Sequence, residues 1–307
     1  MTRTPELQQI RFRGQHHGPH LLITGGVHGD EFEPMVAIRR LIKWLDTDSK
    51  SRMSLRGCVT LIPVVNEPAF LRGNRTAEDG LDLARVCPGK ADGSVTERIA
   101  HALSPLIRDA DFYIDLHTGG TELAVLPFVG YKMHSDKSIL DHQRRMAHAF
   151  NLPIIWGTNP NLDGRTLSVA RDAGIPAIYA EFLGSATCDP QGVDAYQQGC
   201  LNVMAELEMT DRQQPESVIQ TVIEDARPNA GHMQICNPSP MTGYFQPAVQ
   251  LGDEVRIGDP LGSVCDSTGE KEMVIRSQQH GIVLVLRTFP RVRQGETVGL
   301  ILERESK

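Results

Sequence analysis

Residues 20–31 read HLLITGGVHGDE and predict how the first part of the chain folds. The apolar run over 20–27 has the length of a buried strand, and its glycines mark where the strand stops. A helical period follows at once, and over residues 31–45 it is carried by Met35, Ile38, Leu41, Ile42 and Leu45. A strand that leads directly into a helix favours an α/β fold.

The same alternation continues over most of the chain. Further strands are predicted at 58–65, 111–116, 152–156 and 175–182, and further helices at 95–109, 138–150 and 192–209. Strands that alternate with helices indicate an α/β domain whose mixed sheet is flanked by helices.

The character of the sequence changes after about residue 228. The rest is rich in Gly, Pro and β-branched residues and has no helical period. Residues 255–262 are echoed by 292–299 in the pattern V-x-x-G-acid-x-apolar-G, which suggests two similar strand–turn–strand halves. We therefore predict an α/β hydrolase domain over 1–227 and a small all-β, barrel-sandwich-like domain over 228–307.

Composition and charge exclude several classes of function. The net charge is −7 without a cluster of Lys and Arg, which argues against nucleic acid as the partner. No apolar stretch approaches the roughly 18 residues of a membrane span, and the N-terminus shows no secretory signal. The six scattered cysteines are typical of free thiols. These features predict a cytoplasmic protein with a small-molecule substrate and leave a homo-oligomer open.

A histidine and a carboxylate follow the first strong strand, with two residues between them. His28 and Glu31 can point at one centre from such a turn, and zinc accepts both ligand types. The simpler interpretation is a strand-to-helix turn in which acidic side chains favour the helix N-terminus. A further candidate metal ligand is His117, which lies at the end of the apolar strand over 111–116. Asp115, two residues earlier, could orient the imidazole of His117.

Glu181 ends another apolar strand, in the segment IYAEFLG. A carboxylate at such a position is costly to desolvate unless it is paired or works near a metal. Zinc hydrolases need a general base, and Glu181 is the best placed candidate; a structural ion pair is the alternative.

Three arginines occupy the loop-rich stretch that follows the second strand of the alternating pattern. Arg72, Arg75 and Arg85 are of the type that binds a carboxylate through two hydrogen bonds or polarises a carbonyl group. Asn66 opens this stretch and is a candidate for substrate binding. Arginines are also common in surface loops, so this pattern is weak by itself.

Together these motifs resemble the succinylglutamate desuccinylase/aspartoacylase family, whose domain looks like a zinc carboxypeptidase. The resemblance is carried by GGVHGDE at 25–31, N-x-P-A-F at 66–70, the arginines of 72–89, D-L-H-T-G at 115–119 and E-x-x-G at 181–184. It covers most of the chain and implies a deacylase that cleaves the amide bond of a small N-acyl amino acid or a related carboxylate-bearing substrate.

The resemblance also implies a role for individual residues. His28, Glu31 and His117 would bind one zinc ion per chain. Glu181 would be the general base, and Arg75 would stabilise the oxyanion.

The residues expected to bind the substrate match the family pattern less closely than the candidate metal ligands do. Arg85 falls on the arginine that grips the substrate carboxylate, and Arg72 and Asn66 are placed with it as substrate-binding residues. The family usually has D-L-N-R where this chain has DLAR, so Ala84 is expected to make the pocket roomier and less polar. Glu67 interrupts the N-P pair, and both departures leave the substrate open.

Two other functions stay compatible with this fold. One is a metallocarboxypeptidase that acts on peptide C-termini, and the other is a binding protein that has lost catalysis. The presence of all three candidate metal ligands and of Glu181 argues against the second.

Overall fold

The computed structural model describes residues 7–47, 54–228, 230–231, 233 and 236–303. Its helices are α1 Phe32–Thr47, α2 Glu67–Arg72, α3 Leu83–Val86, α4 Val95–Arg108, α5 Lys137–Phe150, α6 Thr166–Ala173 and α7 Pro190–Glu206. Its strands are β1 Ile10–Arg13, β2 His16–Thr24, β3 Arg56–Ile62, β4 Phe112–His117, β5 Leu123–Lys132, β6 Ile154–Thr158, β7 Ala177–Gly184, β8 Thr221–Glu224, β9 Gly243–Pro247, β10 Glu254–Val255, β11 Pro260–Cys265, β12 Glu272–Arg276, β13 Gly281–Arg287, β14 Arg291–Val292 and β15 Gly299–Glu303.

The chain divides into two compact units. The first comprises Met1–Thr118, Pro127–Glu181 and Cys188–Ala230, and the second Gly119–Leu126, Phe182–Thr187 and Gly231–Lys307. The sequence-based division at residue 227 treated each domain as one continuous segment. Two short segments of the first predicted domain, 119–126 and 182–187, belong instead to the second unit. The roles assigned to the two predicted domains, hydrolase and β-sandwich, are not tested by this division.

The first unit is built around a mixed sheet. Its strand order is β1-β3-β2-β4-β7-β5-β6-β8. Strand β1 is antiparallel to β3, whereas β2 pairs in parallel with β3 and β4, and β4 pairs in parallel with β7. Because parallel strands end at the same edge, β2, β4 and β7 bring their last residues together.

Helices cover both faces of this sheet. Leu22 and Tyr113 lie in register on β2 and β4 and join an apolar cluster with Ile99 of α4 and Val169 of α6. Because neighbouring residues of a strand face opposite sides, the same strands can also pack on a helix at their other face. Helix α1 packs on β2, β3 and β4. Helix α7 packs against α1 and α5. The predicted α/β fold with a helix-flanked mixed sheet is confirmed.

The second unit forms a β-sandwich of its own. One sheet has the order β12-β11-β9-β14, and the other joins β13 to β10, β15 and the first residues of β5. Side chains of both sheets share one apolar core, which contains Phe245, Val264, Val283 and Ile301.

The repeated octapeptide of the second unit forms two equivalent turns. Asp259 N donates to Arg256 O, and Glu296 N donates to Arg293 O. In each turn the acidic side chain accepts a hydrogen bond from the backbone of the same arginine, at 2.8 Å and 2.9 Å. The predicted strand–turn–strand repeat is present. No helix among the described residues is long and apolar enough to cross a membrane.

Candidate functional site

Three buried side chains meet at the carboxyl edge of β2 and β4. Nδ1 of His28 lies 2.7 Å from Oε1 of Glu31, and Nδ1 of His117 lies 3.0 Å from Oε2 of the same carboxylate. One ligand atom from each residue lies within 4.8 Å of the others. The geometry therefore brings together the three residues predicted from sequence, and two imidazoles with one carboxylate fit zinc.

The second nitrogen of each imidazole faces an aspartate. Nε2 of His28 lies 3.0 Å from Oδ1 of Asp82, and Nε2 of His117 lies 3.0 Å from Oδ2 of Asp115. Metal-binding histidines usually donate their other N–H to a carboxylate, which fixes the tautomer and the ring orientation. Both rings are thus held with Nδ1 toward Glu31, an orientation that fits a metal site.

Asp115 is itself fixed by hydroxyl groups. It is fully buried and accepts hydrogen bonds from Thr24 Oγ1 at 2.7 Å and from Thr166 Oγ1. Burial raises the pKa of Asp115, but His117 and these hydroxyl groups outweigh burial and lower it. The carboxylate therefore stays charged beside the imidazole, in the orienting position that the sequence suggested.

The electrostatics of the cluster favour positive charge at its centre. Burial acts to raise the pKa of Glu31, but His28 and His117 bring it well below its usual range. Burial acts to lower the pKa of His117, but Asp115 and Glu31 raise it well above its ordinary value. The negative charges around His117 thus favour a proton on its imidazole. A dication bound at the cluster would replace such a proton, because metal binding releases protons from its ligands.

Glu181 lies beside this cluster. It is paired in register with His117 across β7 and β4, and only 4% of it is exposed. Its Oε2 atom has no hydrogen-bond partner among the described residues. Burial, with a smaller contribution from Glu31, raises the pKa of Glu181 well above its ordinary value. A buried carboxylate oxygen without a partner is costly, which indicates a site kept for chemistry rather than for stability.

Arg75 is bound to the same network. Its Nε and Nη2 atoms donate to Oδ2 of Asp82 at 3.2 Å and 3.0 Å, and its Nη1 lies 3.6 Å from Oε1 of Glu31. Burial lowers the pKa of Arg75, but Asp82 and Glu31 outweigh it and raise the pKa. Asp82 therefore connects Arg75 to His28, a link that the sequence did not reveal because Asp82 stood out only as part of the DLAR motif.

Arg85 lies on α3, next to this network. Burial lowers the pKa of Arg85, and Asp82 opposes that shift; together with the nearby charges of Arg165 and Arg75, these effects bring the pKa to about 10. Closely placed cations in a partly buried region form a ready site for an anionic group. Arg85 is therefore suited to the carboxylate-binding role expected from the sequence.

Arg165, at the start of α6, is a further cationic residue that the sequence reading missed. Its Nη2 atom is buried and has no hydrogen-bond partner among the described residues. Gly164 has a φ of +79°, and a Cβ there would lie 2.4 Å from Arg85 O. Cys87 N also donates to Gly164 O at 2.9 Å. In the sequence, Gly164 is the only sign that the segment of Arg165 approaches the segment of Arg85.

Asn66 and Arg72 are placed differently from the other predicted residues. Asn66 is fully buried, and its side-chain oxygen accepts from Ala69 N at 3.3 Å, which caps α2. Arg72 lies exposed on the last turn of that helix. Among the described residues neither side chain has a hydrogen bond or ion pair to the His28–Glu31–His117 cluster. Their roles in substrate binding stay predictions.

Ala84 packs among apolar side chains. It is 8% exposed and packs in the apolar cluster that contains Leu83 and Leu167, while its N–H donates to Oδ1 of Asp82 at 2.9 Å. This burial argues against an open pocket at residue 84, but the effect of Ala84 on the substrate stays a prediction. The D-L-N-R comparison suggested a pocket position, whereas α3 places this side chain in an apolar cluster.

Comparisons with known proteins agree with the fold. A family model described as the succinylglutamate desuccinylase/aspartoacylase catalytic domain matches residues 17–207. An N-alpha-acetyl-L-2,4-diaminobutyric acid deacetylase from Halomonas elongata is 32% identical over 297 residues, which cover 93% of this chain and 82% of that protein.

Two solved structures are similar along nearly the whole chain. A succinylglutamate desuccinylase/aspartoacylase from Rhodobacter sphaeroides is 26% identical, with a TM-score of 0.83 over 97% of this chain and 90% of that chain. The product-bound ectoine utilization protein EutE (DoeB) from Ruegeria pomeroyi is 27% identical, with a TM-score of 0.83 over 96% of this chain and 88% of that chain. This chain therefore belongs to the succinylglutamate desuccinylase/aspartoacylase family.

Proposed function

We propose that this protein is a zinc-dependent deacylase that hydrolyses the amide bond of a small N-acyl amino acid. The observation that carries the proposal is the arrangement around Glu31. Two imidazole Nδ1 atoms face one carboxylate, both Nε2 atoms are held by aspartates, and the buried carboxylate of Glu181 lies in register with His117.

His28, Glu31 and His117 would hold one zinc ion per chain. Zinc in such a site supplies Lewis-acid chemistry, which polarises a carbonyl group and lowers the pKa of water. The donor set supports this choice, because two imidazoles and a carboxylate leave a tetrahedral ion one open position.

Glu181 would take a proton from water and deliver it to the leaving nitrogen. Its burial keeps the proton affinity of the carboxylate high, so that it can hold a proton between the two transfers. Arg75 would neutralise the negative charge that develops on the carbonyl oxygen, because its guanidinium group already lies beside Glu31.

Arg85 and Arg165 would bind the carboxylate of the substrate. The pKa of each is lowered, with burial as the largest cause, so an anion placed between them gains charge-assisted hydrogen bonds. An N-acetylated diamino acid is the first substrate to test, since the Halomonas elongata relative is described as acting on N-alpha-acetyl-L-2,4-diaminobutyric acid.

A substrate panel with two variants tests this proposal. The panel contains N-acetyl-2,4-diaminobutyrate, N-acetyl, N-succinyl and N-formyl amino acids, and short peptides, and release of the free amine is measured. We expect turnover of N-acyl amino acids, about one zinc per chain, and loss of the metal in His117→Ala. Glu181→Gln should keep its zinc and lose on the order of 10²–10⁴ in kcat.

An exposed histidine provides the matched control. His101→Ala should keep both metal and activity, because His101 lies exposed on α4. Full zinc retention in His117→Ala would remove the metal assignment, and near-normal kcat in Glu181→Gln would mean that another group is the base. Turnover of peptides alone would favour the carboxypeptidase alternative.

A further inference from the structure

Four consecutive residues just after Glu181 have a backbone conformation that side chains disfavour. The φ angles are 45° at Leu183, 125° at Gly184, 58° at Ser185 and 58° at Ala186. Residues other than glycine rarely have positive φ, because the Cβ atom then approaches the following carbonyl oxygen. We call Leu183–Ala186 the strained loop.

The strained loop is held by the segment that follows His117. Three backbone hydrogen bonds join the two, from Gly119 N to Leu183 O at 2.8 Å, from Ser185 N to Leu123 O at 3.0 Å and from Ala186 N to Gly120 O at 3.0 Å. The loop also closes on itself, since Thr187 donates to Gly184 O through both its N–H and its hydroxyl group.

Two glycines let these backbones touch. A Cβ on Gly184 would lie 2.6 Å from Leu123 O and 2.7 Å from the Cα of Gly119. A Cβ on Gly119 would lie 2.2 Å from Leu123 O and 2.8 Å from Leu183 O. No side chain fits at either position, so the close crossing is imposed on both segments.

Strand β13 and the residue after it brace both segments. The buried guanidinium group of Arg287 donates to Glu122 at 3.1 Å, and Thr288 N donates to Glu122 O at 3.0 Å. The hydroxyl group of Thr288 donates to Ser185 Oγ at 3.0 Å. These contacts all lie within the second unit, which contains the segments 119–126 and 182–187 that follow His117 and Glu181 in the chain.

We propose that the strained loop is a positioning device for Glu181. Strained backbone persists only where its surroundings impose it, and here the imposed conformation begins two residues after the carboxylate. Fixing Leu183 to Ala186 fixes the end of β7 and so restricts the direction of the Glu181 side chain. This inference rests on the proposed role of Glu181 as the general base.

Glycine substitutions test the proposal, because glycine accepts positive φ without strain and frees the backbone. Ala186→Gly should have a melting temperature equal to or above the wild-type value, and Ser185→Gly, which also loses the hydrogen bond from Thr288, should have one close to it. They should keep their zinc and their KM, and kcat should fall by about tenfold because small misplacements of catalytic groups are costly. Ala186→Asn should retain wild-type kcat, since asparagine favours positive φ without the freedom of glycine.

Glu208→Gly is the matched control. Glu208 has a φ of 57° and is exposed after α7, outside the strained loop. We expect it to keep its melting temperature or raise it, with kcat unchanged. If the two glycine variants of the strained loop also keep wild-type kcat while Glu181→Gln is inactive, the loop has only a structural role and the inference is wrong. If Glu181→Gln is active, the proposed base is wrong instead.

Discussion

The His28–Glu31–His117 cluster and the arginines around it are built in different ways. His117 and Glu181 lie on neighbouring parallel strands in register, and His28 and Glu31 follow the end of a third strand. Arg75 lies in a loop. Arg85 lies on the short helix α3, and Arg165 lies at the start of the short helix α6; the contacts between these two segments join residues that are distant in sequence. Sheet geometry therefore fixes the first group, whereas the second depends on tertiary packing.

Asp82 is the residue that joins the two groups, so its loss should have the largest effect. Asp82→Asn removes the charge that orients His28 and holds Arg75. We expect metal affinity to fall by about 10–100-fold, as is typical when the carboxylate partner of a metal-binding histidine is lost. Competition with a chelator measures this affinity.

The exposed Asp92 provides the control for that variant. Asp92→Asn should bind metal like the wild type. An unchanged metal affinity in Asp82→Asn would mean that the two groups are independent and that Asp82 does not orient His28.

The arginines should affect the substrate and leave the metal in place. Arg85→Ala or Arg165→Ala should each remove contacts to a carboxylate worth about 1.5–3 kcal/mol. That corresponds to a loss of roughly tenfold to hundredfold in kcat/KM, with zinc content unchanged. Steady-state kinetics with the acid and with its amide would measure it.

The amide supplies the internal control for the arginine variants. Wild-type protein should lose a similar factor on the amide, and Arg85→Ala should lose little more. Arg39→Ala, an exposed change on α1, should behave like the wild type. Equal losses on acid and amide would place the carboxylate elsewhere.

Ala84 should have the smallest effect on catalysis, although the sequence comparison pointed to it. Ala84→Asn buries an amide in the apolar cluster of Leu83 and Leu167, so unfolding free energy should fall by about 1–3 kcal/mol. Substrate preference should stay the same. Denaturant unfolding and the substrate panel measure the two properties.

The exposed Ala91 allows a matched comparison for this substitution. Ala91→Asn should be as stable as the wild type. If Ala84→Asn is stable and its activity moves toward N-acetylaspartate or succinylglutamate, residue 84 borders the substrate pocket.

Much of this site could be predicted because its residues lie at the ends of apolar strands, where the pattern is local. Strand β5 was missed because Pro127 and Gly130 interrupt its sequence, and helix α6 has only 8 residues. Arg165 and Asp82 carry no local pattern. The importance of Arg165 comes from Gly164 approaching Arg85, and that of Asp82 comes from its contacts with the distant His28 and with Arg75 in the preceding loop.

The shared carboxylate of Asp82 has a consequence for metal binding at the proposed zinc site. A substrate that draws Arg75 toward itself changes the negative charge available to Nε2 of His28. Coupling between two binding events is reciprocal, so substrate must alter metal affinity by the same factor by which metal alters substrate affinity. With zinc bound as proposed, the supply of substrate would then help to decide which molecules retain their ion when zinc is scarce.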